Sequence, residues 1–242
     1  MRRVLLALLL AGAASAEPRQ SGFELMSPGT QAMQRDDSAN PGMLWVEEGR
    51  ALWDSTGCAS CHGDVARMRG VAARYPAWDA ASGGPTDLAG RIAQCQEARQ
   101  HRTPFPRESA EALALAAVIG LQSRGMPISP PEDPRLAPAL ARGEALYRER
   151  RGQLDLSCAQ CHDANAGRHL AGSPIPEAHP TGYPLYRLEW QGMGSLQRRL
   201  RNCMAGVRSE PYAYGAPEYA AIELFLMRRA AGMPLETPAV RP

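Results

Sequence analysis

Cys58-Ala59-Ser60-Cys61-His62 and, 100 residues on, Cys158-Ala159-Gln160-Cys161-His162 are the two stretches that decide how this chain folds. Each sets two thiols about one helical turn apart, with an imidazole directly after the second. In that pattern both thiols add to the vinyl groups of a haem and the imidazole is held beneath the iron. Structural zinc fits poorly, because paired C-x-x-C zinc sites lie roughly 15–20 residues apart and need no histidine after the second cysteine. A thioredoxin-type dithiol fails on context, since neither motif stands in a βαβ pattern. Two covalently bound haem c groups are therefore expected, one on Cys58 and Cys61, the other on Cys158 and Cys161, with His62 and His162 as proximal iron ligands. A porphyrin in each half would also fill cores that have few aromatic side chains, only 6% of the chain.

The likeness of the halves extends beyond these motifs, and internal repeats govern the reading of everything else. Leu88 to Cys95 lines up with Leu196 to Cys203 at an offset of 108, and Gly125-Met126-Pro127 with Gly232-Met233-Pro234 at 107. Each half has the same order: a helix, C-x-x-C-H, a long Gly/Pro-rich segment, a short helix with one further cysteine, and a longer helix. The opening helices are expected at Leu44 to Ser55 and at about Pro138 to Arg150. The closing ones are expected at Ser109 to Arg124 and at about Pro217 to Ala231, with Gly125 and Gly232 as stops. No stretch shows sustained strand alternation, so the expected class is all-α: two tandem class I-like cytochrome c domains related by duplication and joined by a Pro-rich linker. The N-terminal domain is placed at 17–126, the linker at 127–138 and the C-terminal domain at 139–242. The linker holds Pro127, Pro130, Pro131, Pro134 and Pro138 and predicts no regular element.

Arg2 and Arg3 precede an apolar run from Val4 to Ala11 and the small residues Ala14-Ser15-Ala16, which reads as a signal peptide over 1–16, cleaved near Ala16. The run is about half the roughly 20 residues a membrane span needs. The expected product is exported to the periplasm with no membrane anchor. A net charge of +2 spread along the chain does not call for nucleic acid. All 27 basic residues are Arg, a bias that a GC-rich coding sequence explains.

Four cysteines are used by haem, leaving Cys95 and Cys203, one in each half at equivalent places. Each could be the distal iron ligand, since thiolate is an accepted axial donor. Met68, Met193 and Met204, or His101, His169 and His179, compete for that role, and a Cys95–Cys203 disulfide is the structural alternative. Arg91 and Arg199 stand four residues before these cysteines, on the same helix face. Arginine's fork of donors suits an oxyanion such as a sulfonate, and nearby cations favour thiolate over thiol. The second site is the more basic, with Arg198, Arg199, Arg201 and Arg208 around Cys203. Arg199 is the expected substrate-binding residue because it recurs in register with the ligand. Contact with haem propionates is the competing use for these arginines.

Asn40 to Glu47, the two C-x-x-C-H motifs and Arg198-Arg199-Leu200-Arg201-Asn202-Cys203-Met204-Ala205-Gly206-Val207-Arg208 together resemble the SoxA subunits of the SoxAX cytochromes, over nearly the whole chain after the signal. The resemblance implies an L-cysteine S-thiosulfotransferase, a haem enzyme of sulfur oxidation that joins thiosulfate to a cysteine of a SoxYZ-like carrier and passes two electrons to cytochrome c. It also implies Cys203 as the catalytic sulfur, in this family often a persulfide, with His162 on the active-site iron and Arg199 on the sulfonate. The implied partner is a monohaem SoxX-like subunit in a heterodimer. A dihaem electron-transfer shuttle without catalysis is the main alternative, and a dihaem peroxidase a weaker one.

Overall fold

A computed structural model describes residues 19–242, so the expected signal peptide lies outside the described residues. The first half runs α1 (Pro28–Arg35), α2 (Met43–Ser55), the single turn α3 (Cys58–His62), the hairpin β1 (Ala77–Asp79) and β2 (Gly84–Thr86), α4 (Leu88–Ala98) and α5 (Ala110–Leu121). The second runs α6 (Ala137–Arg148), α7 (Cys158–His162), the hairpin β3 (His169–Leu170) and β4 (Ser173–Pro174), then β5 (Leu185–Arg187) and β6 (Gly192–Gly194). After these come α8 (Leu196–Gly206), α9 (Pro217–Arg229) and β7 (Ala239–Arg241).

Local chemistry sets the helix starts. Ser109, Asp87 and Ser195 cap α5, α4 and α8 by accepting a backbone N–H from the first turn, and Pro217 opens α9. α2 crosses α5 over Val46, Trp53, Leu113, Ala117 and Val118, while α6 crosses α9 over Leu146, Tyr147, Ala221, Ile222 and Phe225. Glycine permits both crossings. A methyl on Gly49 or on Gly143 would collide with the backbone carbonyl of Ala114 or of Ala221. A third apolar cluster, Ile128, Met227, Ala230, Met233 and Leu235 with Ala72 against it, fills the seam between the halves. Met193 of β6 also joins the first half's core.

Two expectations are corrected. The chain is helix-rich, but not all-α. β1–β2 and β3–β4 form two-stranded antiparallel sheets, and β6-β5-β7 a three-stranded one in which β7 pairs parallel to β5. Strands of two or three residues are too short to show alternation, and β7 finds its partner some 50 residues away. The Pro-rich stretch also holds regular structure. Ile128 is 1% exposed and exchanges backbone hydrogen bonds with Gly232 and Met233 at 2.8 and 2.9 Å. Asp133 caps a 3₁₀ turn at Pro134–Leu136, and α6 already begins at Ala137. Proline is compatible with the first turn of a helix, so this density of prolines marks starts as well as interruptions.

Candidate active site

Ser157 and Gln160 form a capping box that holds α7 as one turn: Ser157 Oγ accepts the Gln160 N–H (3.2 Å) and Gln160 Oε1 accepts the Ser157 N–H (2.8 Å). That turn fixes Cys158 and Cys161, and Cys158 lies against the second core beside Leu196 and Leu200. His162 Nδ1 donates to the Pro176 carbonyl at 2.7 Å. This tautomer leaves the Nε2 lone pair free for a metal, the usual way an imidazole ligand is oriented. Cys203, from α8, shares a cavity with His162. Burial alone would push its thiol up, yet the neighbouring His162 and the positive charges of Arg199 and Arg187 bring it below its ordinary value. His162 and Cys203 line a cavity of about 440 Å³ together with Arg187, Arg199, Leu200 and Leu226, within the usual range for ligand sites. Two thiols on one turn, an imidazole of fixed tautomer and largely apolar walls fit covalent haem c, with the Cys203 sulfur on the same cavity.

The arginines divide by what they already hold. Arg198 lies over Trp190, 4.2 Å from the ring centroid, and donates to the Met193 carbonyl. Arg201 stacks on Tyr214 at 4.5 Å and donates to the Tyr212 carbonyl. Arg208 reaches Gln153 at 3.5 Å. Among the described residues Arg199 makes no side-chain hydrogen bond or ion pair, so its fork faces the Cys203 cavity uncommitted. Of the rival distal donors, Met193 is buried in the first half's core and Met204 Sδ accepts the Tyr219 hydroxyl at 3.5 Å, whereas His179, with Nδ1 2.9 Å from the Gln20 carbonyl, lines the same cavity as Cys203.

In the first half the Cys95 thiol stands near Cys58 and Cys61. Burial and those two sulfurs push it up, against the opposing charges of Arg99 and Arg91. His62 is exposed, its ring 5.7 Å from that of Trp53. Arg91 Nη2 is 3.1 Å from the buried Asp79 carboxylate and so is not free as Arg199 is. All six cysteines are unpaired, so Cys95 and Cys203 are not bridged.

Three contributors were not picked out from sequence. Pro176, which orients His162, carries no sequence signal that marks it as an acceptor. Met26 and Arg241, from the chain's two described ends, meet at the cavity wall only through tertiary folding. A fourth, Arg187, was missed as well, because the 108-residue offset relates it to Asp79, a residue of opposite charge.

Comparison with known proteins agrees with this architecture. The family model for the SoxA/TsdA cytochrome c domain matches residues 48–128 and 142–235. The L-cysteine S-thiosulfotransferase subunits SoxA of Rhodovulum sulfidophilum and Pseudaminobacter salicylatoxidans are each 34% identical over 229 residues, covering 92% and 91% of this chain and 80% of each relative. A crystal structure of SoxXA from Paracoccus pantotrophus superposes with a TM-score of 0.89 at 31% identity, covering 93% of this chain and 87% of that one. With matched residues over most of its length and its C-x-x-C-H turns set for covalent haem c, the chain belongs to the SoxA/TsdA cytochrome c family.

Proposed function

We propose that this chain is a periplasmic SoxA-type L-cysteine S-thiosulfotransferase that conjugates thiosulfate oxidatively to a cysteine of a SoxYZ-like carrier. The overall change is carrier-Cys-SH plus thiosulfate giving carrier-Cys-S-S-SO₃⁻, one proton and two electrons, the electrons passing to a SoxX-like cytochrome subunit. The observation that carries the reading is the placing of Cys203 and the uncommitted Arg199 on one cavity.

Cys158, Cys161, His162 and Cys203 would hold haem c in this half, and the group would supply a one-electron acceptor beside the reacting sulfur. Arg199 takes the sulfonate oxygens in its fork and orients the sulfane sulfur towards Cys203. Loss of two electrons joins that sulfur to the Cys203 sulfur. A carrier thiolate then attacks the sulfane sulfur, and Cys203 leaves as a thiolate, which its surroundings favour. The same balance holds when Cys203 carries a persulfide sulfur. Cys58, Cys61, His62 and Cys95 would hold a second haem c, which would serve as a relay or be a relic of tandem duplication. In this reading the duplicated units are 17–126 and 139–242, with 127–138 between them, and a signal peptide at 1–16 directs export.

Cys203→Ala tests the assignment. The variant keeps its haem by intact mass and visible spectrum but loses thiosulfate-dependent cytochrome reduction in the presence of carrier. Retained turnover removes Cys203 from the mechanism and leaves an electron shuttle.

A further inference from the structure

β1, β2 and α4 of the first half and β5, β6 and α8 of the second repeat at a constant offset of 108, with the same strand register: Asp79 pairs with Gly84 and Arg187 with Gly192. At this offset Arg91 corresponds to Arg199 and Cys95 to Cys203, and Asp79 to Arg187. The charge at that strand position is reversed. In the first half Asp79, 3% exposed, accepts Ser82 N–H (2.8 Å) and Gln94 Nε2 (2.9 Å) and pairs with Arg91, so the guanidinium beside Cys95 has an internal counter-ion. In the second half an arginine replaces that carboxylate, and two cations face one cavity.

The Arg187 side chain is 17% exposed. Its Nε donates to Glu189 Oε2 at 2.8 Å, and its guanidinium lies 5.4 Å from the Trp190 ring centroid, which holds the plane in place. Among the described residues its two Nη groups donate to nothing. Glu189 is 63% exposed on its side chain, and a carboxylate so solvated neutralises a partner weakly. Arg241, the third guanidinium on the cavity wall, is already bound to Glu236 and Gln34. Among the described residues Arg187 and Arg199 thus keep guanidinium donors that no protein acceptor takes at a partly enclosed site, a condition that an oxyanion relieves.

We infer that Arg187 is the second guanidinium of the substrate oxyanion site, clamping the sulfonate of thiosulfate together with Arg199, and that the Asp-to-Arg reversal between equivalent strands confines anion binding to the second half. This deepens the proposed function and rests on it.

Thiosulfate binding to the haem-loaded protein, with carrier and electron acceptor absent, is measured by calorimetry for Arg187→Gln, Arg187→Lys, Arg187→Asp and Arg199→Gln, beside steady-state constants and the haem spectrum. Arg187→Gln should weaken thiosulfate binding and raise its KM by about 10- to 100-fold, the size expected for charge-assisted hydrogen bonds. The carrier's KM and the haem spectrum should stay unchanged. Arg187→Lys should recover part of the loss. Arg187→Asp should lose most, because it gives Arg199 the internal partner that Arg91 has. If Arg199→Gln loses thiosulfate and Arg187→Gln does not, the inference fails alone. If Arg187→Gln instead shifts the haem spectrum with binding intact, Arg187 is a propionate partner and the inference is again overturned. If neither variant affects binding, the inference and the thiosulfate site both fail.

Discussion

A guanidinium four residues before a cysteine does opposite jobs in the two halves, and only its neighbour decides which. Arg91 is engaged by a buried Asp79, so it acts in stability, whereas Arg199 faces the cavity without a partner among the described residues. Burial would raise the Asp79 carboxyl, but hydrogen bonds from Ser82 and Gln94 and the charge of Arg91 hold it below its ordinary value of 3.8. Its stabilising contribution is therefore present above the unfolded-state value and lost as pH falls through the folded one. Arg91→Gln should cost about 1–2 kcal/mol near neutral pH, a modest loss because Arg91 is partly solvated and Asp79 keeps its other two donors. It should also move acid unfolding to higher pH while leaving the thiosulfate KM alone. Denaturant and acid titrations with one kinetic assay check this, and an altered KM would show that the first half takes part in substrate binding.

At the level of elements, the two helix crossings are the rigid frame on which the C-x-x-C-H turns hang. Gly143 lies where α6 meets the Ala221 carbonyl of α9, and the same crossing places Tyr147 and Phe225, whose rings are 5.2 Å apart, behind Cys158. Helix propensity alone would favour Gly143→Ala by about 1 kcal/mol. The collision with backbone should override that and destabilise by about 1–3 kcal/mol, read as a lower denaturant midpoint. A raised midpoint would mean that the crossing is looser than described. The helices were legible in sequence because their caps and 3.6-residue periodicity are local signals, as at Ser109 and Pro217. The sheets were not, because Leu185, Tyr186 and Arg187 become a strand only by pairing with Gly192–Gly194 and with the distant Ala239–Arg241. That hidden strand also concealed Arg187. The cysteines of the C-x-x-C-H motifs and Arg199 were readable for the opposite reason, since their spacing lies within one or two helical turns.

The whole molecule is joined by a buried polar seam as well as an apolar one. Asp87, which caps α4, forms a two-point pair with Arg107 at 2.7 and 3.0 Å and accepts Gln197 Nε2 of α8 at 3.1 Å. The helices bearing Cys95 and Cys203 are thus linked near their first turns. Glu223 of α9, 7% exposed, lines one cavity with Asp87, Arg107 and Gln197. Burial, reinforced by the negative charge of Asp87, raises the Glu223 carboxyl well above its ordinary value of 4.5, against the pull of Gln197 and Arg107. The folded protein therefore keeps a proton that the unfolded chain has released. For this group the folding penalty is absent below the ordinary value and grows as pH rises towards the folded one, at up to about 1.4 kcal/mol per pH unit. Glu223→Gln removes the ionisable group and keeps a similar shape. It should change stability little in mild acid and raise it at pH 8, flattening the decline of the unfolding midpoint between pH 5 and 8. A variant whose midpoint still falls as steeply as the parent's would show that Glu223 is ionised in the fold and that Arg107 serves two carboxylates rather than one.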